Sequence, residues 1–166
     1  MVAIMETRSI PSLSLEQIND GLSWAEQSVR GRHPMLLHSA GDEFNRVFNF
    51  ITKDSYMQPH LHPGDEKIEK IHLVRGELAV LFFDDQGVVS DSVHLSLGRV
   101  ELVNVPAFAW HTYVMLTDHV VTYETMMGVY KPETWKKFAN WAPKEDATES
   151  ADYIRSLRQE VKKRMV

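Results

Sequence analysis

The residues best suited to chemistry lie in a short segment with two histidines. His60 and His62 are two positions apart, and Pro63-Gly64 follows them directly. On an extended strand, side chains two residues apart project from the same face. Two imidazoles on one face can bind one ion, at about 2.0 to 2.1 Å each for zinc. The spacing therefore predicts a metal site built on a strand.

The turn at Pro63-Gly64 brings the next strand back alongside and offers the same ion a carboxylate. Two candidates follow it, Glu66 and Glu69. Glu66 lies in the polar turn, whereas Glu69 begins an apolar strand and shares its parity with Ile71 and Leu73, the expected inward face. Glu69 is the preferred ligand, and Glu66 remains the alternative.

A further candidate ligand comes from a distant part of the chain. A strand at residues 103–105 ends in a proline loop, and the chain resumes as a strand at His111. Closure of a barrel would place His111 opposite the first two histidines. The remaining histidines lie on other faces or near turns and are expected to be packed or solvated: His33, His38, His72, His94 and His119.

The composition excludes one type of metal ligand and two classes of binding partner. The 166 residues include no cysteine, so disulfides and thiolate ligands are excluded. The formal net charge is -5, and the lysines and arginines are scattered, so no nucleic-acid partner is expected. The longest apolar run, 78–83, is too short to span a membrane, and the N-terminus lacks a basic signal-peptide region. We expect a cytoplasmic protein without a membrane partner.

Hydropathy patterns predict one domain over residues 1–166. A capping-box pattern precedes apolar residues at helical spacing and predicts an N-terminal helix at about 12–29. From about 35 to 130, short strand-like runs alternate with turn-forming clusters, which is typical of an antiparallel sandwich or barrel. A tail at about 131–166 contains a second amphipathic helix. Its apolar stripe consists of Ile154, Leu157 and Val161.

Several polar side chains are expected to face the interior beside the metal. Tyr56 and Gln58 share the parity of the first two histidines, and Tyr113 shares the parity of His111. Tyr56 is a candidate catalytic residue, and Gln58 and Tyr113 are candidate substrate contacts. On the last barrel strand, Glu124 is a candidate general base with a raised pKa.

Arg46 lies in a strand pattern over residues 44–51 and shares one face with three phenylalanines. That face is expected to be the interior, where an arginine needs a partner. Arg46 either binds a carboxylate or phosphate of a ligand, or neutralises Glu69 or Glu124. The phenylalanines are Phe44, Phe48 and Phe50.

These motifs resemble those of the cupin superfamily: His-x-His, then Glu, then Gly after six residues, and later a histidine following a proline turn. His60, His62, Glu69, Gly76 and His111 match them residue by residue. The resemblance implies an all-β fold, the cupin double-stranded β-helix or jelly-roll barrel, flanked by short N- and C-terminal α-helices. It also implies one divalent metal ion, Fe, Zn, Ni or Mn, held by the three histidines and Glu69.

More closely, the chain resembles the WbuC-type cupin-fold metalloproteins over about residues 22–146. Members of that family are associated with surface-polysaccharide gene clusters, which implies a metal-dependent oxygenase, isomerase or hydrolase acting on a sugar or sugar-nucleotide derivative. The alternative is a non-catalytic module that binds metal and a small ligand. A homodimer is expected, because cupin barrels commonly pair through an exposed sheet edge. The matching segments are 28–32, 56–62, 81–87, 106–112 and 138–145.

Overall fold

Alternating apolar and polar residues form two five-stranded antiparallel sheets in the computed structural model, which describes residues 11–165. Residues 1–10 and 166 of the predicted domain lie outside the described residues. The elements are α1 (Leu15–Gln27), β1 (Arg32–Leu36), β2 (Phe44–Thr52), β3 (His60–Leu61), β4 (Glu69–Arg75), β5 (Glu77–Phe83), β6 (Val89–Ser96), β7 (Leu102–Val105), β8 (Trp110–Met115), β9 (His119–Met127), α2 (Pro132–Trp135), β10 (Lys137–Phe138) and α3 (Ser150–Arg164).

The two sheets pack face to face as a jelly roll. The first sheet has the strand order β1-β2-β9-β4-β7, and the second has the order β10-β3-β8-β5-β6. Ile71 of the first sheet and Leu78, Leu95 and Tyr113 of the second belong to one buried cluster. Burial of these side chains between the sheets is the main source of stability for such a sandwich. The predicted all-β barrel is confirmed.

Helix α1 covers the outer face of the first sheet. Its predicted capping box is present: the Gln17 amide donates to Ser14 Oγ at 3.1 Å, and the Ser14 amide donates to Gln17 Oε1 at 2.9 Å. Gly21 lies against the ring of Phe50, where a Cβ atom would meet ring carbons at 2.5 Å. The missing side chain therefore allows the helix to approach the sheet closely.

Helix α3 covers the outer face of the second sheet. The predicted stripe is confirmed, since Ile154, Leu157 and Val161 are buried and pack with Leu81 and Val114. Within residues 11–165, no helix has the length and apolar character needed to cross a membrane.

The face of β2 that was expected to point inward points to α1 instead. Phe48 and Phe50 are 1% and 0% exposed and pack with Leu22 of the helix. The inward face of β2 carries Asn49, which lines the cavity described below, and Ile51, which belongs to the cluster between the sheets. The sequence-based assignment was wrong because this strand is covered on both faces, so large apolar side chains do not mark the interior alone.

Gly76 joins β4 directly to β5 and has a positive φ of +81°. A Cβ atom here would collide with the main-chain oxygen of His119 and with Thr117 Oγ1. Gly76→Ala is therefore expected to lower the free energy of unfolding by about 2 kcal/mol or more, measured by urea denaturation.

Gly98→Ala is the matched control for this substitution. Its φ is +77°, but nothing lies within 4 Å of the added Cβ atom, so only the backbone strain remains. We expect a loss of about 1 kcal/mol. Equal losses for the two variants would contradict a steric role for the cupin-motif glycine.

Candidate metal centre

Short strand β3 brings the three predicted histidines together. His60 lies directly opposite His111 in the pairing of β3 with β8, and His62 follows β3 immediately. The nearest ligand atoms of the three imidazoles lie within 4.8 Å of one another. Their exposed fractions are 1% for His60, 2% for His62 and 0% for His111. Solvent is therefore almost excluded from the cluster.

Each imidazole is oriented by a main-chain carbonyl. A carbonyl only accepts hydrogen bonds, so each Nδ1 must carry the proton, and the neutral ring then directs a bare Nε2 lone pair into the cluster. Burial, followed by the charge of Lys136, lowers the pKa of His60 well below its ordinary value, which favours this neutral form. The pairs are His60 with Gln58 (3.0 Å), His62 with Trp135 (2.8 Å) and His111 with Ala109 (2.9 Å).

Glu69 approaches the cluster from the opposite sheet. Its Oε2 atom lies 3.1 Å from Nε2 of His111 and 3.5 Å from Nε2 of His62. Burial acts to raise the pKa of Glu69, but the hydrogen bonds and positive charge that His62 and His111 offer when they are protonated outweigh it and hold the pKa well below its usual range. Glu66 is exposed in the turn. The parity argument thus selected the carboxylate that lies beside the imidazoles.

The contacts of Glu69 have the spacing of ligand atoms that share one cation. When Nδ1 of His111 is the donor, Nε2 is an acceptor, and two acceptors at 3.1 Å repel unless a proton or metal ion lies between them. The buried Nε2 of His62 has no hydrogen-bond partner. Two atoms that each bind one metal at about 2.1 Å are roughly 3.0 to 3.4 Å apart. The three imidazoles lie close enough together to hold one metal ion, and Glu69 lies beside two of them.

A cavity of about 550 Å³ opens beside this cluster, between the sheets and the C-terminal tail. His62, Glu69, Tyr113 and Glu124 line its polar part. Burial, followed by the charges of Glu124 and Glu69, raises the pKa of Tyr113 well above its ordinary value, so its hydroxyl stays protonated. Tyr113 thus occupies the cavity position expected from its parity with His111.

Glu124 also faces the cavity, as expected, and its hydrogen-bond partners lie on β2 and β9. It accepts hydrogen bonds from Asn49 Nδ2 at 2.8 Å and from Thr122 Oγ1 at 2.7 Å, and the alternative in which it pairs with Arg46 is wrong. Burial, followed by the charge of Glu69, raises the pKa of Glu124 to about 7. Glu124 can therefore exchange a proton near neutral pH. Asn49 was not predicted to line the cavity, although it lies on the same face of β2 as Ile51.

The structure places Arg46 away from the cavity, on the face of β2 opposite Asn49. Its guanidinium donates to the Leu37 carbonyl at 3.0 Å. The prediction that Arg46 faces the interior, where it binds a ligand or neutralises a carboxylate, is therefore wrong. The cause is the reversed assignment of the two faces of β2.

Tyr56 and Gln58 do not line the cavity either. The Tyr56 hydroxyl donates to the Pro143 carbonyl at 2.7 Å, and its ring packs in the cluster beneath α3. Gln58 Nε2 donates to the Ala139 carbonyl at 2.8 Å. Strand parity failed here because residues 55–59 are not strand. Gln58 contributes to the site only through the main-chain carbonyl that orients His60.

The closing segment, residues 131–146, crosses the mouth of the cavity. Strand β10 within it pairs with β3, so that Phe138 lies opposite His60. Lys67 Nζ donates to the Thr134 carbonyl at 3.1 Å and lies 4.9 Å from the centre of the Trp135 ring. The segment thereby supplies the carbonyl that orients His62. Sequence reasoning missed this role, because a main-chain donor or acceptor leaves no residue-type signal.

Lys67→Met is expected to weaken metal binding by about tenfold, because it releases the part of the closing segment that orients His62. Competition with a chromogenic zinc chelator measures the affinity. Lys70→Met is the control, since Lys70 is exposed on β4. Unchanged affinity in the Lys67 variant would mean that the closing segment does not support the site.

The comparisons with known proteins identify the fold. Residues 13–95, half of the chain, match the family described as "Domain of unknown function (DUF6016)". No curated protein matches the sequence. Protein SO0799 from Shewanella oneidensis is similar in structure, with a TM-score of 0.58 and 12% identity over 72% of this chain and 82% of that one.

Two larger proteins contain a similar barrel. A recombinant oxalate oxidase in complex with glycolate gives a TM-score of 0.51 and 14% identity, covering 67% of this chain and 56% of that one. CapF with the inhibitor 3-isopropenyl-tropolone gives a TM-score of 0.51 and 19% identity, covering 64% of this chain and 34% of that one. The chain thus spans about half of the first and a third of the second. The shared architecture is the cupin jelly roll.

Proposed function

The chain belongs to the family described as "Domain of unknown function (DUF6016)", and we propose that it is a metal-dependent enzyme that acts on a small polar molecule. The observation that carries this proposal is the set of three imidazoles whose Nδ1 atoms are held by main-chain carbonyls. One ligand atom of each ring lies within 4.8 Å of those of the other two, and Nε2 of His62 and of His111 lie beside Glu69. Fe, Zn, Ni and Mn all suit three nitrogens and one carboxylate oxygen.

The bound ion would supply Lewis-acid polarisation or activation of an oxygen atom of the ligand. His60, His62, His111 and Glu69 would hold it. The protein's own contribution is a site from which water is largely excluded, with ligands that need no reorientation, since the three imidazoles are at most 2% exposed. Fixed orientation and exclusion of water both strengthen electrostatic interactions inside such a site.

Glu124 and Tyr113 are the proposed proton-handling and hydrogen-bonding groups of the cavity. With a pKa of about 7, Glu124 is able to accept a proton from a bound molecule and to return it at neutral pH. Asn49 and Thr122 hold its two carboxylate oxygens in place. Tyr113 remains a hydroxyl donor, because its pKa is raised. A metal site with a separate acid or base is typical of an enzyme rather than a structural metal site.

The finer proposal is a WbuC-type cupin that acts on a sugar or sugar-nucleotide derivative as a homodimer. The segments quoted above support the family, and the cavity of about 550 Å³ has room for a monosaccharide. The exposed apolar Leu36 of edge strand β1 and Leu102 of edge strand β7 favour pairing of two copies. Light scattering measures the mass of the particle directly.

Elemental analysis of the purified protein, followed by turnover assays, tests the proposal. We expect one divalent ion per chain, lost on treatment with a chelator below about pH 6, where imidazoles become protonated. The stripped protein is then reloaded with iron, manganese, nickel or zinc and incubated with sugars and keto acids. Far less than one ion per chain would refute the metal site. Ligand binding without product under every metal would favour the non-catalytic binding module.

A further inference from the structure

Lys136 is a cation inside the cavity that neither the motif analysis nor the metal centre accounts for. It follows α2 in the closing segment, is partly buried and lines the cavity together with Glu69 and Glu124. Its positive charge acts on His60 and on both carboxylates. Lys136 therefore lies close to the metal centre as well as to the proton-handling Glu124.

Lys136 differs from the other cations of the cavity because its ammonium group is not committed to a protein partner. Arg32 donates to the Tyr56 carbonyl at 3.0 Å and to Glu145 at 2.6 Å, and Arg30 pairs with Glu145 at 3.1 Å. Among residues 11–165, no side chain or carbonyl forms a hydrogen bond or close ion pair with Lys136. A partly buried ammonium with three donors and no acceptor in contact is available for a bound anion.

The charges around the cavity favour an anion once an ion occupies the imidazole cluster. Three cationic and three carboxylate side chains line the walls, so their formal charges cancel. A divalent ion adds two positive charges and makes the cavity attractive to anions. Burial lowers the pKa of Lys136 while the nearby carboxylates oppose this effect. The six side chains are Arg30, Arg32, Lys136, Glu69, Glu124 and Glu145.

The remaining walls indicate which anion fits. Tyr130, Trp135 and Phe138 line the cavity near Lys136 and provide aromatic surface for the body of a small molecule. Phosphate dianions are usually bound by several donors, such as a bidentate arginine or a glycine-rich loop. Here the arginines are already paired with Glu145, and one free ammonium matches a singly charged carboxylate.

We propose that Lys136 binds the carboxylate group of a small organic acid, with a neighbouring oxygen of the same molecule facing the imidazole cluster. This inference rests on the proposed function, because it assigns a substrate class to the same cavity. Lys136 is a binding residue in this arrangement and takes no part in holding the metal.

Ligand-observed NMR and calorimetry test the inference on the zinc-loaded and the metal-stripped full chain. The probes are glycolate, its neutral amide glycolamide, and inorganic phosphate. The variants are Lys136→Met, which keeps an apolar stem, Lys136→Arg, and Lys131→Met, which removes an exposed lysine of the same segment. Zinc content and circular dichroism are measured for each variant.

We expect Lys136→Met to weaken glycolate binding by about tenfold or more, with glycolamide binding and zinc content unchanged. Lys136→Arg should retain most of the affinity, and Lys131→Met should match the unmodified protein. The inference is overturned if Lys136→Met binds glycolate as tightly as the unmodified protein does, or if it loses glycolate and glycolamide binding equally. It is also overturned if the unmodified protein binds phosphate more tightly than glycolate, or does not bind glycolate at all. If the chain takes up no zinc but still binds glycolate in a way that depends on Lys136, the metal site is refuted and the carboxylate subsite at Lys136 is supported.

Discussion

His62→Ala is expected to lower the affinity for zinc by more than about a hundredfold, because it removes one of the four proposed ligands and leaves the carbonyl of Trp135 without its donor. Loss of groups that only orient a ligand already costs about 10- to 100-fold in metal affinity. The metal content of the purified variant should fall well below one ion per chain. Elemental analysis and chelator competition measure both quantities.

His94→Ala is the control, since His94 lies near the surface and pairs with Glu77 at 3.0 Å. It removes an imidazole from the chain without touching the cluster. Thermal unfolding with and without zinc gives a second measure, because an ion that binds only the folded state raises the melting temperature. Full occupancy in the His62 variant, or equal losses in both variants, would contradict the ligand set.

Glu124→Gln is expected to stabilise the metal-stripped protein at pH 8 by about 3 kcal/mol and to change its stability little near pH 4.5. The pKa of Glu124 is about 7 in the folded chain, above its ordinary 4.5, because burial and the charge of Glu69 disfavour the carboxylate. The unfolded chain releases this proton first, so stability falls as pH rises from 4.5 to 7. The glutamine side chain is neutral at both pH values, and its amide oxygen still accepts the hydrogen bond from Asn49 Nδ2.

Urea denaturation at both pH values measures this difference, and Glu133→Gln on the exposed surface of α2 is the control. Loading the protein with zinc should reduce the gain at pH 8, because a nearby cation favours the ionised form of Glu124. A stabilisation of the same size at both pH values would show that the substitution acts through packing. Glu124 would then lose its proposed role in proton transfer.

The cluster of proposed metal ligands was predictable from sequence, because strand parity is reliable where a strand pairs regularly with its neighbours. His60 and His62 flank Leu61, and Glu69 shares its inward face with Ile71 and Leu73 on β4. Parity also placed Tyr113 and Glu124 in the cavity. In each case the residue lies in or directly beside a strand that pairs regularly with its neighbours.

The wrong assignments have two physical causes. Arg46 was placed inside because α1 buries the outer face of β2, which gives that face the hydropathy of a core. Tyr56 and Gln58 were placed inside because an extended pattern was assumed for residues that form no strand. Lys136 was missed for a third reason: it reaches the cavity from a segment without periodic structure, and only tertiary folding brings that segment over the barrel.

Main-chain carbonyls, rather than side chains, accept the hydrogen bonds that orient the three imidazoles. A carbonyl persists when its own side chain is replaced, so Ala109 can vary without loss of ligand geometry, whereas the side chains of Gln58 and Trp135 also hold the closing segment. The cavity walls can then diverge between relatives while the ion stays in place. One barrel of this type could in this way acquire new specificities by exchanging side chains such as Lys136, and it offers protein engineers a metal site whose substrate pocket can be redesigned separately.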